Sequence, residues 1–373
     1  MNFSINRKSF LTNLEKVSKI IDYKNFIPSL LGIVIEVKPN TISLITTNDN
    51  LSIKCNLEAG KNNLEIKEVG NILIKGKYIL DVLRKMEDDV ISLSNVEKNL
   101  LFISGKKSEF LLNLLDYEEF PMIGFRKKGD GIKIDSQELK KAINQTIISV
   151  NEYNQKIALT GLNFHIENND FFITGTDNYR VSRKMLQVEN NKEKFEANMP
   201  FKSAHELVRV LSDSQECKII FSESLLSFVT EETIFQTTLL EGNFPNVKVI
   251  FPSSFNTTIK TNTKAFNNVI YRADIPNEEN EITVINIQIQ GNTIFVKSKI
   301  KSIGSFEEEF KEFTIEGDDE QNVFFNSRFL LDSLKTFETK TITIKFIDSK
   351  KPVIIYSEEE PGLNQIILPM FSN

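Results

Sequence analysis

The feature that most constrains this chain is an internal repeat. "FSINRKSFLTNLEKVSKI" from Phe3, "IKIDSQELKKAINQTIIS" from Ile132 and "IKTNTKAFNNVIYRADI" from Ile259 begin 129 and 127 residues apart. Each reads as a short alternating strand, then a helix-capping residue (Asn6, Asp135 or Asn262), then an amphipathic helix. The apolar stripes are Phe10, Leu14, Val17 and Ile21; Leu139, Ile143, Ile147 and Val150; and Phe266, Val269, Ile270 and Ala273. Deeper in each copy, "KYILDVLRKM" from Lys77, "KSAHELVRVL" from Lys202 and "RFLLDSLKTF" from Arg328 read as a second helix, 125 and 126 residues apart. Two alternating strand segments follow each. The copies close on Phe120-Pro121, Phe244-Pro245 and Leu368-Pro369, with the prolines 124 apart twice over.

A solenoid repeat is only about 20–45 residues long, so these copies are whole domains. The expected fold class is α+β: three tandem homologous domains, each with two amphipathic helices packed on antiparallel sheets. The domains are expected at 1–124, 125–253 and 254–373, with breaks near the polar "GFRKKGDGI" and the turn cluster "PSSFNT".

With 373 residues, 40% of them hydrophobic, the chain can bury that many cores. It has no apolar run of membrane-spanning length and no signal-like N-terminus, and its two cysteines lie far apart, so a reducing cytoplasm is expected. The net charge of −6 argues against a chain that coats nucleic acid electrostatically but leaves room for a local basic face.

Such a face recurs. The second helix carries Lys77, Lys202 or Arg328, and seven residues on, along the same side, Arg84, Arg209 or Lys335. Arg272 and Lys264 add to it in copy three, and Lys8, Lys16 and Lys19 in copy one. One such pair would be an ordinary solvated face; three in an acidic protein suggest a helical surface that meets phosphates without reading bases. The acidic segments at 117–120, 277–281, 305–312, 317–320 and 357–361 lack the spacing of a calcium loop.

No catalytic motif is present. His165 and His205 have no cysteine or histidine partner at metal-ligand spacing, and no nucleophile elbow, Walker loop or dinucleotide fingerprint occurs, so no metal, cofactor or enzymatic activity is expected. "TGTDNYRVSRK" from Thr174 has the composition of an active site, but "TTNDNLSI" from Thr46 matches it. That match sets Thr46 on Thr174, Asp49 on Asp177 and Asn50 on Asn178, leaving Tyr179 and Arg180 as additions of the middle copy. An exposed Tyr and Arg beside apolar residues suit a binding hot spot.

The three α+β copies, "TGTDNYRV", "LLEGNFPNVKVIFP" and the terminal "IILPM" together resemble the bacterial sliding clamps, the beta subunits of DNA polymerase III, over essentially the whole chain. The resemblance implies a processivity factor: a head-to-tail homodimeric ring around duplex DNA, bound without sequence preference. It also implies a peptide pocket for the replicative polymerase, the clamp loader and other clamp-binding proteins. Carried across, the pocket would use Leu159, Thr176, Asn178, Tyr179, Arg180, Val181, Pro245, Val249, Ile250, Pro352, Ile366, Ile367, Leu368, Pro369 and Met370. Lys24 and Lys156 match further basic positions of the DNA face. The ring contact would set Lys106, Lys107, Phe110 and Leu112 of one copy against Ile275, Glu307, Glu308 and Glu309 of the other. Departures from the family pattern are Asn178-Tyr179, where Gly or Ser then His is usual, Val249 at a frequent Arg, and Ile157-Ala158 at a DNA-touching Tyr pair. The alternatives are an enzyme acting at Thr176–Arg180, which lacks a base and a nucleophile, and a non-replicative structural or binding protein of repeated domains.

Overall fold

The computed structural model describes all residues except 98, 130, 190–193, 214, 276–281 and 372–373. The acidic segment 277–281 lies outside the described residues. Six α-helices form as the repeat demands: α1 (Arg7–Ser18), α2 (Gly76–Lys85), α3 (Ser136–Thr146), α4 (Phe201–Val210), α5 (Thr263–Ala273) and α6 (Ser327–Lys335). Four of them, α1, α3, α5 and α6, are entered through side-chain caps. Asn6 accepts from the Ser9 N–H, Asn262 from Ala265, and Asn326 from Arg328 and Phe329. Asp135 accepts from Gln137 and Glu138. Each cap satisfies donors that the first helical turn leaves free. The sequence stripes extend past two of the helices: Ile21 lies beyond α1, and Ile147 and Val150 beyond α3, although Ile21 and Ile147 are still buried.

Four strands carry the junctions between copies, β1 (Leu51–Glu58), β3 (Arg180–Gln187), β4 (Thr233–Thr238) and β6 (Leu363–Ile367), and two of the strands that end sheets are β2 (Glu109–Asn113) and β5 (Gly304–Phe310). The chain forms two compact units, Met1–Lys140 with His205–Leu239, and Lys141–Ala204 with Leu240–Asn373. In the first, a five-stranded antiparallel sheet ends on β2, and an eight-stranded sheet is spliced at its middle by β4 pairing with β1. In the second, a nine-stranded sheet is spliced by β6 pairing with β3, and a four-stranded sheet ends on β5. Each splice joins a sheet of one repeat to a sheet of the next. On β1 alternate residues are buried, one side of the strand facing the core.

The close of each copy falls differently from the spacing of its prolines. Leu115 N donates to Leu73 O at 2.8 Å, Leu240 N to Asn198 O at 2.8 Å, and Met370 N to Phe324 O at 2.8 Å. These are the equivalent bridges, so Phe120-Pro121 and Phe244-Pro245 follow theirs while Leu368-Pro369 precedes its own. The equal proline spacing is a coincidence of loop length, and Pro369 serves to end β6.

The second unit also holds a buried polar lattice. Lys141 Nζ lies 2.7 Å from Glu360 Oε1, and Gln145 Nε2 donates to that oxygen at 2.8 Å and to Thr336 O at 3.0 Å. Lys184 Nζ sits 3.6 Å from the same carboxylate. Gln365, at 0% exposure, donates to Gln145 O and to Thr336 Oγ1, both at 3.0 Å, and accepts from Ser182 Oγ. Burial alone would raise the Glu360 carboxyl. The hydrogen bonds from Lys141 and Gln145 and the charge of Lys184 outweigh it and hold the pKa below the ordinary carboxylate value.

Candidate functional site

The β-turn that opens β3 is built by three short side chains. Thr176 Oγ1 donates to Arg180 O at 2.7 Å, and Asp177 Oδ1 accepts from the N–H groups of Tyr179 at 2.9 Å and Arg180 at 3.0 Å. Asn178 takes φ 77°, a conformation Asn tolerates better than most residues. The first copy repeats this chemistry one position away from the sequence match. Thr47 Oγ1 donates to Leu51 O at 2.8 Å, Asn48 Oδ1 accepts from Leu51 N at 2.9 Å, and Asp49 takes φ 72°. The true equivalents are therefore Thr47 and Thr176, Asn48 and Asp177, Asp49 and Asn178. The repeated Asp-Asn dipeptide misleads because Asn and Asp can exchange roles as side-chain acceptor and positive-φ residue. The middle copy then adds Tyr179 where the first has Asn50, and Arg180 where it has Leu51.

The two added residues have opposite fates. Tyr179 is 64% exposed. The expectation that Arg180 is exposed is corrected: its side chain is only 10% exposed, with Nε 3.0 Å from Asp177 Oδ2 and Nη1 2.9 Å from Asp332 Oδ2 on α6. Its guanidinium also lies 4.3 Å from the centre of the Phe329 ring. A planar cation with two carboxylates at its edge and a ring on its face ties the turn to α6. Arg180→Ala leaves both carboxylates without their cation, so a loss of about 2–4 kcal/mol of unfolding free energy is expected. Urea denaturation checks this, and an unchanged midpoint would contradict the tie.

Around this turn the chain assembles an apolar floor. Val181, Val247, Ile354 and Ile366 form one buried cluster, with Phe244, Ile250, Phe251, Phe255 and Tyr356 packed against it. Ladder pairing sets Arg180 opposite Ile367 and Val181 opposite Ile366, and Leu368 N donates to Tyr179 O at 2.9 Å. Pro352 leads into Val353, which pairs with Ile367. Of the residues expected in a pocket, Asn178, Tyr179, Pro245, Val249 and Leu368 are exposed, and Arg180, Ile250, Pro352, Pro369 and Met370 are half-buried. Thr176, Val181, Ile366 and Ile367 form the floor and its backing. Leu159 is 1% exposed in the short turn Ile157–Leu159 and offers no surface. Sequence reading missed Phe244, Val247, Phe251, Ile354, Phe329 and Asp332. The dense apolar run "NFPNVKVIFPSSF" was the signal for the first three; nothing local marks the rest.

All nine expected DNA-facing cations are exposed: Lys24, Lys77, Arg84, Lys156, Lys202, Arg209, Arg272, Arg328 and Lys335. Three are held by carboxylates of this chain. Arg84 pairs with Glu15 at 2.8 Å, Arg209 with Glu206 at 3.0 Å, and Arg272 with Glu308 at 2.5 Å. Hydrogen bonding from Arg272 keeps the Glu308 carboxyl below its ordinary pKa. The other six form no ion pair with a described residue. Of the residues expected at the ring contact, Lys106, Lys107, Glu307 and Glu309 are exposed, while Phe110, Leu112, Ile275 and Glu308 are half-buried.

Repeated two-sheet domains spliced edge to edge, with an apolar cleft at one splice, define a tandem-domain binding scaffold. Family models of the DNA polymerase III beta subunit match the chain in three parts: the N-terminal domain at 1–124, the central domain at 133–246 and the C-terminal domain at 248–371. The chain is 40% identical over 372 residues to a beta sliding clamp of Mycoplasma capricolum, covering 100% of this chain and 99% of that one. It is 29% identical to one from Staphylococcus epidermidis, with 99% of each chain covered. The crystal structure of a DNA polymerase sliding clamp from Bacillus subtilis superposes with TM-score 0.95 at 26% identity, with both chains fully covered. The beta subunit of Streptococcus pyogenes DNA polymerase gives 0.94 at 26%, again over both whole chains. The chain belongs to the DNA polymerase III beta subunit family, the sliding clamps.

Proposed function

We propose that two copies of this chain close head to tail into a ring that slides on duplex DNA. The cleft beside Tyr179 would take short peptides from the replicative polymerase, the clamp loader and other partners. The chain's work in this reading is binding, in the cytoplasm, without cofactor or catalysis. Its three domains would run 1–124, 125–253 and 254–373, with the splice sheets crossing from one to the next.

The observation that carries this reading is a register used twice. At the first splice Phe235 of β4 faces Ile53 of β1; at the second Gln365 of β6 faces Ser182 of β3. Tracing the ladders from the first-helix caps Asp135 and Asn262 makes Phe235 and Gln365 equivalent, and tracing them back from the first residue of each second helix makes Ile53 and Ser182 equivalent. All four are 0% exposed. Each copy has one strand of each kind, so β2 of the first copy and β5 of the third are left without the corresponding partner. The equivalent residues on these edges are Phe110 and Phe306, both only half-buried. Joining β2 of one molecule to β5 of another in the same register sets Phe110 opposite Phe306 and Lys107 opposite Glu309. Two such contacts close a dimer and cover both edges.

The six cations without an ion-pair partner suit phosphate contacts that are individually weak, which a ring held by topology can tolerate while sliding. The test is retention. With a clamp loader and ATP, protein of twice 42.8 kDa should stay on nicked circular DNA through gel filtration and fall off once the circle is linearised. A monomer, or retention indifferent to linearisation, would sink the ring reading and favour a structural repeat protein.

A further inference from the structure

Beside the cleft floor lies a second cavity of about 270 Å³, lined among others by Asn163, His165, Glu167, Phe172, Arg183 and Lys248. Arg183 stands two residues from Val181 on β3, so both side chains leave the same face of the sheet. Its guanidinium lies 3.9 Å from the centre of the Phe172 ring and 5.4 Å from that of Phe251. Aromatic rings thus cover its faces and leave its hydrogen-bonding edge. Its Nε is buried and meets no acceptor among the described residues. Neither of the two carboxylates lining the cavity accepts from the Arg183 Nε. Glu167 is bonded to Lys248, and Glu196 accepts from Asn163 at 3.1 Å. A buried donor of a permanent cation without an acceptor is costly, and an incoming carboxylate would satisfy it.

The cavity adjoins the apolar floor. Phe251 touches both Arg183 and the floor cluster, and Val247 lines the cavity while belonging to that cluster. We propose that this cavity takes the carboxylate of an acidic residue flanking a peptide bound in the cleft, with Arg183 as its donor. The proposal rests on the peptide-binding reading of the cleft. It makes the site selective for partners with an Asp or Glu next to their apolar anchors.

The probes are synthetic peptides with a Leu-Phe anchor, flanked on either side by two Glu residues or by two Gln residues. Fluorescence anisotropy against the native protein should give about ten-fold tighter binding for one Glu peptide over its Gln counterpart, the worth of one charge-assisted hydrogen bond. Salt at about 0.5 M should erase that preference. Arg183→Met should erase it too, bringing the Glu and Gln peptides to the same affinity. Equal binding of Glu and Gln peptides by the native protein, or a preference that survives either the salt or Arg183→Met, overturns the proposal. If no anchor peptide binds at all, the cleft reading fails and takes this one with it. Where Arg183→Met folds poorly, Arg183→Lys, which keeps the charge but loses the planar fork, takes its place and should still weaken the preference.

Discussion

Phe110→Cys combined with Phe306→Cys is expected to convert most of the protein into a covalent dimer under mild oxidation, with neither single variant doing so. The expectation rests on the hydrogen bonds at the two splices. Asn56 N donates to Glu232 O at 2.8 Å and Thr238 N to Asn50 O at 2.9 Å, and at the second splice Leu368 N donates to Tyr179 O at 2.9 Å. In an antiparallel ladder bonded and non-bonded pairs alternate, so Phe235 and Ile53 form a non-hydrogen-bonded pair. In the proposed dimer Phe110 and Phe306 inherit that geometry, with Cα atoms about 4.5 Å apart. A disulfide needs roughly 4.4–6.8 Å. The native Cys55 and Cys217 are buried and do not compete. Leu111→Cys with Phe306→Cys is the control, because a shift of one residue turns the side chain to the other face. Equal cross-linking in the control, or none in the Phe110 pair, would refute the register. Linked rings should resist opening and remain on circular DNA in high salt.

Replacing Glu360 by Ala is expected to remove about 3–5 kcal/mol from the stability of the second unit. The carboxylate is 6% exposed and faces Lys141, Gln145 and Lys184, so its loss takes away the charge that Lys184, itself 7% exposed, is buried beside. The pH dependence has a definite sign. The folded pKa of Glu360 is depressed, so its contribution is present above the unfolded pKa and is lost as pH falls through the folded value. Denaturant midpoints of the native protein should therefore fall between about pH 5 and pH 3 by more than those of Glu360→Ala. Parallel pH profiles for the two proteins would show that the carboxylate is not the titrating group.

Much of the fold was legible in the chain because its signals are local. A cap such as Asn6 acts within three residues, and a stripe such as Phe10, Leu14 and Val17 needs only helical spacing. Three tandem α+β domains follow from finding that signal three times. The turn at Thr176 was half legible. Its residue types announced turn chemistry, but which residue accepts and which takes positive φ depends on the strand register, and a repeated Asp-Asn dipeptide set the match one place off.

Tertiary structure decided what Arg180 and Arg183 do. Both are arginines on one strand, three residues apart. One meets Asp332, which lies 152 residues along the chain, while the other is stacked on Phe172 and Phe251 with its buried Nε meeting no acceptor among the described residues. Charge and composition cannot tell these cases apart, because a guanidinium's role depends on which distant acceptor the fold brings within about 3 Å. The same holds for the edges. The sequence by itself determined that there are three copies and where their paired helices begin. Only the pairing of β1 with β4 and of β3 with β6 decided that β2 and β5 are the strands left over, since strand pairing is a long-range choice that local propensity does not encode.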